Sequence, residues 1–122
     1  MKELLFVGCG GALGAIFRYS LGLLPIKMNF PIMTMIINIV GAMIIGGVVA
    51  YAQKSSMDPG FLLFLKTGFC GGFTTFSTFS LETVQLLEAQ RYVSGIGYAM
   101  GSLLLCILGV LIGKSLVEGI LA

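Results

Sequence analysis

Histidine and tryptophan are absent from these 122 residues, and only 10% of the chain is charged, seven basic against five acidic side chains. The missing histidine removes the commonest general base and the usual activator of a serine nucleophile. Ser77 and Ser80 therefore have no partner for hydrolytic chemistry, and Glu82 and Glu88 have no partner acid for paired-carboxylate work. Cysteine is scarce as well. Cys9, Cys70 and Cys106 are odd in number and lie in apolar sequence, where free thiols behave as small hydrophobes. A metal centre of the usual kind needs a closer cluster with histidine or carboxylate partners. Gly71-Gly72 lacks the lysine that completes a phosphate loop. Together these absences argue against an enzyme.

What is present is grease: 57% of the residues are hydrophobic. So little charge cannot clothe a water-soluble core, which makes the chain an integral membrane protein, and its length allows one domain, 1–122. A spanning helix takes about 20 apolar residues, and the turn signals divide the chain into four such segments, at about 4–24, 32–52, 61–89 and 92–117. Pro25, Lys27, Asn29 and Pro31 separate the first two, and the polar run from Gln53 to Gly60 separates the second from the third. No small-residue cleavage site follows the first segment, which reads as retained. The expected fold is all-α, four transmembrane helices with the third broken near its middle.

Lys2, Lys54 and Lys114 fall toward one face of such a unit, Lys27 and Arg91 toward the other. A balance this close leaves two topologies open: one orientation set by a single extra charge, or dual insertion with antiparallel pairing. Gly10 and Gly14, Gly97 and Gly101, and Gly109 and Gly113 each stand four apart, on one helix face, where they admit another backbone, within the protomer or between protomers.

The third segment carries the unusual matter, GFCGGFTTFSTFSLE from Gly68 to Glu82. Adjacent glycines weaken a helix, and a break at about 71–75 frees backbone groups that lipid cannot satisfy. The result is either a kink closed by nearby threonine hydroxyls or a discontinuous helix whose ends handle an ion. Beyond it, Phe76, Phe79, Ser80 and Thr83 share one face, Thr74 and Thr78 lie roughly opposite, and Thr75 and Glu82 take a third direction, so that no side of the helix is wholly apolar. Phenyl edges are weakly positive and suit a small anion in a dry passage, although such rings more commonly pack a core. Thr34 and Asn38 make a polar stripe on the second segment, Ser94, Tyr98 and Ser102 another on the fourth; either stripe is helix glue or part of a path. Arg18 lies about five residues from the end of its span and suits an anion-attracting mouth, and Lys66 can snorkel to the opposite surface.

Gly10-Gly11-Ala12-Leu13-Gly14-Ala15-Ile16-Phe17-Arg18-Tyr19 resembles the GGxxGAxxRY opening of the Fluc (CrcB) fluoride channels, and GGFTTFSTFS from Gly71 to Ser80 resembles that family's signature almost letter for letter. Asn38 and Gly41 resemble its second-helix pair, while Met33 stands where the family often has glycine. The resemblance implies an antiparallel, dual-topology homodimer in a prokaryotic plasma membrane, with two pores for passive fluoride export and a central structural Na⁺. It assigns Phe76 and Phe79 to the pore walls and Asn38 to anion donation, with Ser77, Thr78, Ser80 and Thr83 nearby. Tyr98 and Ser102 fall on a fourth-helix track, Arg18 in a vestibule, and the carbonyls of Gly71 and Thr74 on the Na⁺. Two other readings stand beside it: a small four-helix proton-coupled multidrug exporter, which shares the length and charge balance but would need a deep carboxylate, and a non-transporting assembly subunit, in which glycines and hydroxyls only glue helices.

Overall fold

A computed structural model describes Met1–Ala122 and consists of helices throughout. Three are long and apolar enough to cross a membrane: α1 (Lys2–Gly22), α2 (Ile32–Lys54) and α6 (Tyr92–Leu121). Between α2 and α6 runs a bent helix in pieces. It opens with α3 (Pro59–Leu62), continues without a turn into a π-helix (Leu63–Cys70) and α4 (Gly71–Phe73), breaks, and resumes as α5 (Phe76–Glu88). Its start follows ordinary capping rules: the Asp58 carboxylate accepts the Phe61 amide at 3.0 Å, and Pro59 occupies the first turn, where its missing N–H costs nothing. Its end is closed by Gln90, whose positive φ of 61° lets the Arg91 amide reach back to the Leu86 carbonyl at 2.9 Å.

The break falls at the far end of the expected stretch 71–75, and its cause differs from the expectation. Gly71 keeps helical dihedrals, and the chain stays helical through Phe73. Only Thr74 (φ −86°, ψ 157°) and Thr75 (φ −147°, ψ 115°) are extended. The glycines serve closeness instead. A Cβ on Gly72 would strike the Gly11 backbone, one on Gly14 the Phe69 carbonyl, one on Gly10 the Phe64 carbonyl, and one on Gly68 the Gly10 Cα. Backbones here meet without side chains between them, the way small residues bind helices in lipid.

A second seam joins α2 to α6. Gly46 faces the Val110 carbonyl and Gly113 the Met43 carbonyl, each so near that a methyl group would have no room. Of the three glycine pairs marked in the sequence, Gly10 with Gly14 and Gly109 with Gly113 pack inside the protomer. Gly97 does not: nothing lies within 4 Å of where its Cβ would be, and Gly101 meets only the tip of Met35. The small apolar core sits where α2, α5 and α6 converge, with Met35, Leu86 and Tyr98 buried and Phe30, Ile39 and Phe79 packed around them. Most other large apolar side chains point outward, as a lipid-facing surface requires.

Candidate functional site

The break at Thr74 and Thr75 is held from three sides. From α2, Asn38 clamps the backbone of Thr75 at two points: its Oδ1 accepts the Thr75 amide at 2.9 Å, and its Nδ2 donates to the Thr75 carbonyl at 3.1 Å. From α1, the Arg18 Nε donates to the Gly72 carbonyl at 3.0 Å. From within the segment, the Thr74 hydroxyl returns to the Cys70 carbonyl at 2.8 Å, and the Thr75 Oγ1 caps α5 by accepting the Thr78 amide at 3.2 Å. The Cys70 carbonyl also keeps its helical amide partner, Thr74 N–H at 3.0 Å, whereas the bonds from Arg18, from Asn38 and at the Thr78 amide stand where the interrupted helix gave up its own, and in lipid each such group left bare costs several kcal/mol.

The accounts do not all close. The Thr75 amide would ordinarily bond to the Gly71 carbonyl, four residues back, but it is turned to Asn38. No hydrogen bond reaches the Thr74 carbonyl. Two backbone oxygens beside the break are thus without their helical partners, on a side of the segment where Gly71 is exposed and open. Oxygens of this kind suit a hard cation better than the nitrogen and sulfur donors of a transition-metal site.

Against the break lies a cavity of about 580 Å³. Asn38 and Gly41 of α2 line it, with Gly71, Thr74 and Thr75 of the break, Phe76 and Phe79 of α5, and Ser102 of α6. Gly41 is bare because Thr74 occupies the space where its side chain would be. Phe76 and Phe79 have ring centroids 5.6 Å apart at an interplanar angle of 48°, and Phe79 continues the line to Tyr98 at 5.2 Å. Phe76 is 78% exposed, an apolar ring presented outward beside the break. Tyr98 is buried behind Phe79 and donates its hydroxyl to Glu82 Oε1 at 3.0 Å. Ser102 is 4% exposed, and its Oγ is the one buried side-chain oxygen or nitrogen in the protomer with no hydrogen-bond partner.

Of the residues singled out in the sequence, the structure brings Asn38, Gly71, Thr74, Phe76, Phe79 and Ser102 to one cavity. Ser77, Thr78 and Ser80 lie outside its lining. Ser77 is exposed, the Thr78 hydroxyl receives the Thr75 hydroxyl at 3.1 Å, and Ser80 bonds back to the Phe76 carbonyl at 2.9 Å. Thr83 likewise bonds back, to the Phe79 carbonyl. Arg18 is tied to the break by its Nε. The sequence reading missed Thr75, the partner of Asn38, and the pairing of Tyr98 with Glu82. For Thr75 the signal was a threonine at the break itself; for Glu82, a carboxylate on a membrane helix at a depth where it needs a donor.

The family described as "CrcB-like protein, Camphor Resistance (CrcB)" matches residues 5–114 of the chain. Among curated relatives, a protein of Ruminiclostridium cellulolyticum named fluoride-specific ion channel FluC is 45% identical, covering 98% of each chain. A protein of Clostridium novyi with the same name is 45% identical over 92% of this chain and 91% of its own, and one of Methanococcus aeolicus is 38% identical over 93% and 94%. With its apolar helices of spanning length, its interrupted helix and a match along nearly its whole length, the chain belongs to the CrcB family of membrane proteins.

Proposed function

We propose that this chain is the protomer of a fluoride-selective channel that lets the anion flow passively across the cell membrane. The observation that carries the reading is the cavity at the helix break, where an amide, an unpartnered hydroxyl and two phenyl rings converge without a carboxylate. Fluoride is small and holds its water tightly, so a dry path must offer several donors in place of that water yet avoid a charge that would trap the ion. Asn38 spends one Nδ2 hydrogen and its oxygen on Thr75, which leaves one N–H for an anion and fixes where it points. The Ser102 hydroxyl has no competing partner, and the edges of Phe76 and Phe79 add weak positive potential without a formal charge. Ser77, Thr78 and Ser80 belong to the polar neighbourhood, Tyr98 backs the Phe79 wall, and Arg18 holds the vestibule side of the break.

The interrupted helix makes the fourth crossing, its two halves together spanning 59–88. A second copy in antiparallel orientation completes the assembly: it covers the outward ring of Phe76, and the near balance of lysine and arginine between the two faces permits both insertions. The Gly71 and Thr74 carbonyls, lacking helical partners, fit a Na⁺ where the two copies meet; bound there, the ion supplies positive charge that locks the breaks together.

Purified protein in liposomes loaded with fluoride should discharge it through a selective electrode assay when a K⁺ ionophore relieves the charge. Proton-coupled drug movement without fluoride release would overturn the reading, and silence toward every solute would leave only an assembly role. For the cation, detergent-solubilised protein should be more thermostable in Na⁺ than in K⁺ at equal ionic strength; equal melting in both would remove Na⁺ from the site.

A further inference from the structure

The cavity at the break has one charged side chain in its wall, and it is neither Arg18 nor an acid. Lys66, on the π-helix, lines it together with Gly71, Thr74, Asn38 and Phe76. Seven residues separate Lys66 from the start of the segment at Pro59, which sets its backbone roughly 10 Å below that end at about 1.5 Å per residue. The side chain is exposed and makes no hydrogen bond or ion pair within the protomer, whose only ion pair joins the amino terminus to Glu3. An uncompensated cation is costly at this depth unless its stem lies along apolar wall and its head reaches water. The cavity offers both: apolar wall from Ile107 and Val110, and an opening on the protomer surface.

Resting on the fluoride-channel reading, we infer that Lys66 is the electrostatic collector of this channel, a hydrated ammonium in the cavity mouth that raises the local concentration of fluoride before the ion meets Asn38 and the phenyl rings. Low-dielectric walls focus the field of a single charge, and no carboxylate in the wall cancels it. The Arg18 guanidinium does not line this cavity and is held to the Gly72 carbonyl, so the duty falls on Lys66. A flexible ammonium suits it better than a fixed fork. It attracts through its hydration shell and lets go, as conduction requires.

The role is a matter of supply, so it is visible only when supply limits flux. Fluoride efflux from liposomes would be measured far below saturating fluoride, at low ionic strength and again with added potassium isethionate, an impermeant salt that shortens the screening length to about 10 Å or less at 0.1 M and above. Wild-type flux should fall about tenfold as salt is added. K66M should start near the screened level and stay there, K66R should follow the wild type, and at saturating fluoride K66M should match wild-type flux. K66Q serves as the second neutral variant if K66M does not assemble. Full flux with an unchanged salt slope in the neutral variants would overturn the role. So would an equal loss at low and saturating fluoride, which marks a packing defect, or a salt-independent wild type. A wild type that releases no fluoride overturns the channel reading itself, a result distinct from an active wild type with indifferent variants.

Discussion

The protomer joins its helices in two contrasting ways. Along the seams of α1 with the π-helix and of α2 with α6, glycines bring backbone against backbone, and no side chain takes part in the closest approach. At Thr74 and Thr75 the backbone leaves its helix, and side chains from two other helices, Arg18 and Asn38, come in to replace what it lost. The seams tolerate no side chain; the break depends on them. The two meet at Gly72, whose missing side chain lets α1 close on the segment while its carbonyl receives Arg18 from that same helix. Packing without side chains thus places the side chains that hold the break, and two backbone carbonyls there, of Gly71 and Thr74, stay without helical partners.

The sharpest way to break the contrast is to put a side chain in a seam. Gly14→Val would drive carbon into the Phe69 carbonyl and the Phe73 amide, backbone atoms that cannot swing aside. A loss of at least about 3 kcal/mol is expected, from overpacking against a rigid partner. Monodispersity and melting temperature in detergent provide the check, with Gly97→Val as the counterpart, since beyond its own stretch of helix backbone nothing in the protomer lies within 4 Å of its added Cβ. Equal damage at both positions would mean that glycine content matters, and that the seams do not.

Next in size is the clamp. Asn38→Ala strips a donor and an acceptor from Thr75 at membrane depth, an expected cost of about 2–4 kcal/mol for two buried groups left unpaired. It should also abolish fluoride flux, because the same amide aims the remaining N–H at the cavity. Asn38→Asp separates the two duties: it keeps an acceptor for the Thr75 amide, loses the donor to the carbonyl, and faces the anion with negative charge. A smaller loss of stability than in Asn38→Ala, about 1–3 kcal/mol for the one carbonyl left unpaired, together with lost flux is expected for Asn38→Asp, read by melting and electrode assay side by side. Full flux in either variant would detach Asn38 from the path.

Asn38 also shows what could be read from the chain alone. An amide in the middle of an apolar span must find a partner, so its importance was legible; that the partner is Thr75, 37 residues away, is a fact of tertiary packing. The same division runs through the fold. Pro25, Pro31 and the polar run before Pro59 marked the helix boundaries because breakers act locally, and the spans fell within a few residues of α1, α2 and α6. A break at about 71–75 follows from the two glycines, because glycine is the weakest helix former besides proline, but the glycines themselves are not where the chain leaves the helix. In the structure α1 needs both Gly10 and Gly72 bare to dock, and the helix that docks stays intact as far as Phe73. The π-turns from Leu63 had no local signature either, since their hydrogen bonds shift by one residue without any change in composition. The five hydroxyls of the signature and Thr83 just beyond it look alike in the sequence; Ser80 and Thr83 are occupied with their own helix, and only geometry tells them from Ser102.

Phe76→Ile should leave the protomer fold within about 0.5 kcal/mol, since the ring is mostly exposed there. Flux should fall by roughly tenfold, on the order of 1 kcal/mol for the lost aromatic edge. Electrode rates on liposomes of equal protein density check it, and unchanged rates would take Phe76 off the path.

The smallest effect is the most discriminating, because it sets two serines against each other. Ser80 and Ser102 carry the same side chain, yet the Ser80 Oγ bonds to the Phe76 carbonyl and the Ser102 Oγ, more deeply buried, bonds to nothing. A buried hydroxyl without a partner costs stability, so Ser102→Ala should melt at the wild-type temperature or slightly above, by up to about 1 kcal/mol. Ser80→Ala exchanges a local bond that its helix does not need and should change stability by less than about 0.5 kcal/mol. Flux separates them: a severalfold fall is expected for Ser102→Ala, whose hydroxyl is free to meet a passing anion, and none for Ser80→Ala. Were Ser102→Ala to lower the melting temperature and spare the flux, its hydroxyl would belong with the seams as packing, and the cavity would lose a donor that fluoride needs.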